Sequence, residues 1–210
     1  KAVWQLAKCW ECHGQTGKGD GAKAAKLKDD FKFPSPPANL TTGLFKSGGG
    51  WDAIDSAYSR PPVSTEQILH VEKYLAGEEP ITVDIPNLWS GLGEGWMDAG
   101  SDVMGEFLMR YYLEEHLDAE QASAAAAGWG GDRYTLSIGP DGERVLALLA
   151  GWDSVGEASE FFAGYQAFWE AKTGGSSGVE LGDGNWKLVT AEATVFLGLK
   201  GLWTLLIVAD

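Results

Sequence analysis

Five consecutive residues carry the most specific chemistry in this sequence: Cys9, Trp10, Glu11, Cys12 and His13. Two thiols three positions apart, followed directly by an imidazole, form the CxxCH pattern that is typical of a c-type haem attachment site. In such a site the thiols of Cys9 and Cys12 add across the two haem vinyl groups, and His13 reaches the iron from the proximal side. The spacing therefore predicts a covalently attached haem together with one axial ligand.

A CxxC pair has three other common uses: a disulfide, half of a zinc site, or a thioredoxin-like redox pair. Zinc is disfavoured because the chain has no second CxxC, and only His70 and His116 remain as imidazole ligands. A redox CxxC is expected beside a βαβ pattern, whereas Val3, Leu6 and Ala7 precede this one at helical spacing. These alternatives stay open beside haem attachment.

The motif lies within a longer pattern that spans about residues 1–50. Its parts are LAKCWECHGQTGKGDG at 6–21, LKDD at 27–30, the prolines at 36 and 37, and NLTTGLFK at 39–46. This quarter of the chain resembles the first half of a small bacterial class I cytochrome c. The resemblance implies an electron-transfer protein with one covalent haem c, which works by one-electron exchange with a redox partner protein.

The cytochrome resemblance also implies roles for individual residues. Cys9 and Cys12 would be the thioether positions, and His13 would be the proximal iron ligand. Pro36 and Pro37 would lie in the loop whose carbonyl group supports the proximal histidine. In bacteria covalent haem attachment takes place outside the cytoplasmic membrane, so the resemblance implies a periplasmic or otherwise extracytoplasmic location.

The distal ligand is less well specified. In the family it is a methionine in a glycine-rich loop just before a closing helix, and no Gly-Met-Pro-like tripeptide occurs here. Met97, within GEGWMDAG at 93–100, is the methionine in the most similar setting, ahead of a helix predicted over about 102–117. By this analogy Met97 is the candidate distal ligand, and water or His70 in the sixth position is the alternative.

Charge divides the chain into two parts. The first 50 residues hold eight lysines and four acidic residues, a formal charge of +4, so the remainder carries −18 of the total of −14. Lysines around a haem edge would steer an acidic redox partner, although a solvated lysine-rich surface explains them equally well. The overall acidity disfavours nucleic-acid binding.

The sequence shows no membrane-spanning stretch and no export signal of its own. No run approaches the eighteen or more apolar residues of a transmembrane helix. The chain begins with Lys1 rather than Met, so we expect a processed or partial chain whose signal peptide is inferred and not present.

Periodicity predicts an α+β protein in three parts. Residues 1–50 form the partial, helical cytochrome c-like segment, and the glycine triplet at 48–50 separates it from a helical region over 51–128. The pattern of residues 129–210 predicts a ββαββ module, which is a four-stranded antiparallel sheet with one helix packed on a face. Five aromatic residues on that helix predict core packing: Phe161, Phe162, Tyr165, Phe168 and Trp169.

Residues 51–210 carry a second resemblance. The runs PVSTEQILHVEKYLAGE at 62–78, GEFL at 105–108 and GWGGDRY at 128–134, followed by Trp152 and Asp153, are similar to a group of uncharacterised exported bacterial proteins. Members of that group resemble metallopeptidase relatives upstream of this segment. The resemblance implies export, and the junction with the cytochrome-like part would be a natural fusion, a fragment or a misassembly.

The residues for catalysis are few. Beyond His13, neither His70 nor His116 has a partner at the spacing of a catalytic triad or a zinc motif, and no HExxH occurs. We therefore expect an electron carrier and not a catalyst. The alternatives are a haem-free exported binding module whose CxxC forms a disulfide, and a non-catalytic relative of an exported metallopeptidase-like family.

Overall fold

The computed structural model describes residues 8–15, 20–28, 50–86 and 88–210. These fall into two compact units. Unit 1 takes its described residues from Lys1–Val63 and Gln67–Glu78, and unit 2 takes them from Ser64–Glu66 and Glu79–Asp210. The CxxCH motif therefore belongs to unit 1.

The described helices of the first 76 residues are short. They are α1 (Trp10–His13), a 3-10 turn (Ala24–Lys26), α2 (Trp51–Ser59), α3 (Thr65–Leu69) and α4 (Val71–Ala76). The sequence pattern predicts helices over about 2–12 and 21–29; the first is described only from residue 8, and residues 20–28 contain only the 3-10 turn.

The spacing of Ile68, Val71 and Leu75 predicts a single helix from Ser64 to about Leu75. This prediction is wrong, because the helix is interrupted at His70, between α3 and α4. His70 has φ −118° and ψ 84°, which lie outside the helical region. The Gln67 side chain of α3 accepts a hydrogen bond from the Val63 N–H and donates one to the Glu78 carbonyl group.

Unit 2 is built on an antiparallel sheet of seven strands in the order β1-β2-β3-β7-β6-β5-β4. The strands are β1 (Met97–Asp102), β2 (Trp129–Ile138), β3 (Arg144–Trp152), β4 (Val179–Gly182), β5 (Asn185–Val189), β6 (Thr194–Lys200) and β7 (Trp203–Ala209). Two consecutive runs of neighbouring strands, β1–β3 and β4–β7, are joined at the centre by the pairing of β3 with β7. The α+β class is thus observed.

The predicted four-stranded sheet is wrong in its strand number. Both predicted hairpins are present, β2–β3 and β6–β7, but β1, β4 and β5 were missed. Every residue of β1 and β4 is exposed, so neither strand has a buried apolar face, and β4 has only four residues in which a pattern could show. In β5 the alternation exists, with Trp186 and Leu188 buried, but it covers only five residues.

In addition to the sheet, unit 2 has helices after residue 88. They are α5 (Trp89–Leu92), α6 (Gly105–Leu113), α7 (Ala119–Ala126) and α8 (Val155–Lys172). The spacing of Asp118 and Gln121 predicts a capping box, and it is confirmed at the start of α7. Ser154 caps α8. Buried residues of α6, α7 and α8 form one hydrophobic core with the sheet.

The aromatic face of α8 packs as predicted. Phe161, Tyr165, Phe168 and Trp169 are at most 4 % exposed. Phe162 is half-buried against the same core. Complete burial of one such side chain stabilises the fold by about 1.5–3 kcal/mol, so this helix is a principal source of the stability of unit 2.

One buried carboxylate positions the N-terminus of α6. Asp132 in β2 is 2 % exposed and accepts hydrogen bonds of 2.8 Å from the N–H groups of Met104 and Gly105 and from the Trp129 indole. The first N–H groups of a helix lack partners within the helix, and the helix dipole favours a negative charge there. Asp132 therefore links β2 to the helix that follows β1.

We expect Asp132→Ala to lower the free energy of unfolding by about 3 kcal/mol, because three buried donors would lose their acceptor. Urea denaturation of the full chain measures this change. The control is Asp141→Ala, since Asp141 is exposed in the β2–β3 turn, and its effect should stay below about 0.5 kcal/mol. Equal stability of the two variants would contradict this role of Asp132.

Candidate functional site

The CxxCH motif lies on one turn of helix. Cys9 is the N-cap of α1, with φ −55° and ψ −29°, and its carbonyl group accepts a hydrogen bond of 2.9 Å from the His13 N–H. Side chains three and four positions apart lie on the same face of a helix. Cys12 and His13 are therefore both helical neighbours of Cys9, and the three functional groups are brought together by local structure alone.

Both cysteines are free thiols, and both are partly exposed. A thiol in this state can reach a ligand without unfolding of its helix. His13 is also partly exposed, at the end of the same turn.

A second segment, residues 20–24, holds this turn in place. The Gly21 N–H donates to the Cys12 carbonyl at 3.0 Å, and the Lys23 N–H donates to the Glu11 carbonyl at 2.8 Å. The approach is so close that a Cβ atom at Gly21 would overlap the backbone of Glu11 and Cys12. Gly14, which follows the motif, has φ +78°, a conformation that residues with a Cβ rarely adopt, and a Cβ there would displace the carboxylate of Asp20. Glycine is thus required for this packing.

An ion pair adds to the same contact. The ammonium group of Lys23 pairs with the carboxylate of Glu11, between the two cysteines. The hydrogen bond from Lys23 lowers the pKa of Glu11, and the same bond raises the pKa of Lys23. Both groups are exposed to water, so the pair orients the segments and contributes little to stability.

These residues fit a covalent haem by their chemistry. The site offers two unpaired thiols on one helical turn and an imidazole directly after the second thiol. The glycines at 14 and 21 keep the backbone around the turn free of side-chain bulk. Cys9 and Cys12 would hold the group covalently, and His13 would supply a nitrogen ligand to the iron.

The other predicted site residues are separate from this turn in the chain. Pro36 and Pro37 lie outside the described residues. Met97 was expected in a loop, but it is the first residue of β1, paired with Ile138, and its side chain is 60 % exposed. His70, the alternative sixth ligand, lies between α3 and α4 with its Nδ1 3.7 Å from Glu72 Oε1. Met97 belongs to unit 2, whereas His13 belongs to unit 1.

Within the described part of the chain, no helix combines the length and apolar character that crossing a bilayer requires.

Sequence reasoning missed a cavity of about 440 Å³ in unit 2, between α6, α8 and the sheet. Its lining includes Met104, Leu108 and Tyr112, which the sequence shows as an apolar stripe on the predicted 102–117 helix. Such a stripe indicates only that the helix faces a core, since periodicity carries no information on whether the core is filled.

Two tyrosines that line this cavity, Tyr112 and Tyr165, have hydroxyl groups with a raised pKa. Burial raises the pKa of Tyr165 well above its ordinary value, and it also raises the pKa of Tyr112. The Tyr165 hydroxyl is buried without a hydrogen bond of normal geometry among the described residues, although Tyr112 and Trp169 lie near enough to influence its pKa.

This burial predicts a loss of stability in alkali. The folded state favours the neutral form of Tyr165, while a tyrosine in the unfolded chain ionises near pH 10, so stability falls as pH rises above about 10. We expect Tyr165→Phe to change stability at pH 7 by less than about 1 kcal/mol and to reduce this alkaline loss. Thermal unfolding between pH 8 and 11 measures both effects. Tyr111→Phe is the control, because Tyr111 is 61 % exposed, and an alkaline loss equally steep in Tyr165→Phe and wild type would contradict the prediction.

Comparison with known proteins gives one match. A family model described as "Domain of unknown function (DUF8575)" matches residues 94–198, which is half of the 210-residue chain. The matched region begins just before β1 and ends within β6, so it contains the helices and strands that surround the cavity, except β7. No curated protein and no solved structure matches the chain. By the match over residues 94–198, the chain belongs to the family of the domain of unknown function DUF8575.

Proposed function

We propose that this chain is an electron-transfer protein that carries one covalently bound c-type haem. The observation that supports it most is the placement of Cys9, Cys12 and His13 on a single helical turn, with both thiols free. The cytochrome c resemblance of residues 1–50 supports the same proposal. When bound, the haem iron would supply one-electron chemistry between Fe(II) and Fe(III).

The residues of the turn have separate tasks in this proposal. Cys9 and Cys12 hold the haem through thioether bonds, and His13 provides the proximal imidazole. The hydrogen bonds from Gly21 and Lys23 to the backbone of the motif keep the turn in one conformation. A turn fixed in this way orients the imidazole before the iron is bound, which reduces the ordering cost of ligation.

Charge supports an acidic redox partner. Among the described residues of unit 1, Lys8, Lys26 and Lys28 are exposed near the motif in sequence, while Lys23 is paired with Glu11. Exposed lysines accelerate encounters with an acidic partner through long-range attraction. We propose the same location as the sequence suggests, periplasmic or otherwise extracytoplasmic, because covalent attachment takes place there.

We also propose an alternative function, because the cavity in unit 2 favours a binding protein. In this alternative the protein is a haem-free exported binding module whose Cys9 and Cys12 form a disulfide, and the cavity in unit 2 would be its binding site. Relation to an exported metallopeptidase-like family, without catalytic activity, is compatible with this alternative. The state of the two cysteines distinguishes the two functions.

Covalent haem is tested by producing the full chain together with a c-type cytochrome maturation system. We expect a haem-stained band at 22.5 kDa plus one haem on a denaturing gel, since thioether bonds survive denaturation. Cys12→Ala should weaken the stain strongly, and Cys9→Ala with Cys12→Ala should abolish it. Glu11→Gln is the matched control, because it lies between the cysteines and leaves their spacing unchanged.

A colourless band in the wild-type chain would contradict the haem proposal. If the colourless protein also resists alkylation by a maleimide until it is reduced, the cysteines form a disulfide and the alternative is supported.

The sixth ligand is tested on the haem-loaded chain. If Met97 binds the iron, Met97→Ala should change the ferric absorption spectrum and lower the midpoint potential by on the order of 100 mV, because a methionine ligand raises the potential. His70→Ala is the comparison variant, and it should then leave both measurements unchanged. An unaltered spectrum and potential in Met97→Ala would make the assignment wrong and would leave His70 or water in the sixth position.

A further inference from the structure

The cavity of unit 2 has the lining of a small-molecule site. Its volume of about 440 Å³ lies within the range of roughly 300–1,000 Å³ that is usual for ligand pockets. Aliphatic and methionine side chains make up most of its wall, contributed by α6 on one side and by β3 and β7 on the other. Those on the sheet are Leu146, Leu148, Leu206 and Val208.

The wall carries almost no charge. Among the described residues that line it, Asp102 is the only ionisable one apart from tyrosine, and none is a lysine, arginine or histidine. A charged ligand group would therefore lose its hydration without gaining a counter-ion, which is costly in an apolar environment. An anionic group would also be repelled by Asp102 and by a chain whose formal net charge is −14.

Tyrosines provide the polar groups of the wall. Tyr112, Tyr134 and Tyr165 all line the cavity. The Tyr165 side chain is 1 % exposed, and its hydroxyl makes no hydrogen bond of normal geometry among the described residues. Tyr112 and Trp169 lie near this hydroxyl and influence its pKa, but a buried hydroxyl without a well-formed partner is uncommon in folded proteins. An uncharged acceptor or donor on a ligand would supply such a partner.

The cavity has an entrance at the start of α6. Val103 is 44 % exposed and Leu108 is 49 % exposed, and both line the cavity. Side chains that face both the interior and the solvent mark the place where a ligand can enter. The hydrogen bonds from Met104 and Gly105 to Asp132 hold this end of the helix on the sheet.

We propose that this cavity binds a neutral lipophilic molecule with a single hydroxyl or carbonyl group. The apolar walls hold its hydrocarbon part, and the tyrosine hydroxyls of Tyr112 and Tyr165 hydrogen-bond to its polar group. The absence of basic residues from the wall selects against carboxylates and other anions of the same length. This site lies wholly in unit 2 and does not depend on haem attachment.

The test uses the full chain and the neutral fluorescent dye N-phenyl-1-naphthylamine. We expect saturable binding that 1-dodecanol displaces at a concentration at least tenfold lower than dodecanoate. Dodecanol should also raise the unfolding temperature of the wild-type chain. Binding that does not saturate, or displacement by dodecanoate at equal or lower concentration, would overturn the proposal.

Variants at two neighbouring positions on α6 distinguish binding in the cavity from binding to the exposed apolar surface. Leu108 lines the cavity, whereas Phe107 is 51 % exposed and does not. Leu108→Glu should weaken dye binding at least tenfold, and the matched control Phe107→Glu should change it less than twofold. Equal weakening in the two variants would mean that the dye binds the surface, and the proposal would be wrong.

Folding of both variants is checked by their far-ultraviolet circular dichroism. If Leu108→Glu does not fold, Leu146→Phe replaces it as a variant that reduces the cavity from the sheet side. It should weaken dye binding at least fivefold, and unchanged binding would contradict the proposal.

Discussion

The pairing of β3 with β7 is the constraint on which unit 2 depends. It runs from Val145 opposite Ala209 to Gly151 opposite Trp203, and it joins two sets of strands that are separated in sequence by α8. Because side chains alternate between the faces of a strand, this register places Leu148 and Leu206 on the same face. A shift by one residue would place one of these two side chains on the opposite face, away from the helices. The Trp152 indole, which donates to the Thr204 hydroxyl at 2.9 Å, reinforces the register with a buried hydrogen bond.

The sheet face produced by that register forms one wall of both the core and the cavity. The aromatic side of α8 covers part of it, with the rings of Trp152 and Phe161 stacked 4.7 Å apart. Helix α6 covers another part, but its position is set by the hydrogen bonds to Asp132 and not by close packing alone. The side chains between α6 and the sheet do not fill all of the space there, and the cavity occupies the remainder.

The functional groups of the two units are brought together in different ways. In unit 1 the functional groups are neighbours in sequence, and a single turn of helix brings them together. In unit 2 the groups that line the cavity come from positions as far apart as Asp102 and Val208, and only the sheet brings them together. The DUF8575 match lies within unit 2 and does not include the CxxCH motif, so membership of that family is independent of the motif.

The sequence by itself determined what depends on local spacing. This includes the grouping of Cys9, Cys12 and His13, the Asp118 capping box and the two hairpins, because each requires only residues a few positions apart. Only the tertiary structure decided the rest. Strand β1 is exposed and mostly polar, and strand β4 is exposed and only four residues long. Their pairing therefore depends on the edge strand that each one joins and not on their own sequence pattern. The cavity beneath α6 likewise depends on residues far apart in sequence, which periodicity does not encode.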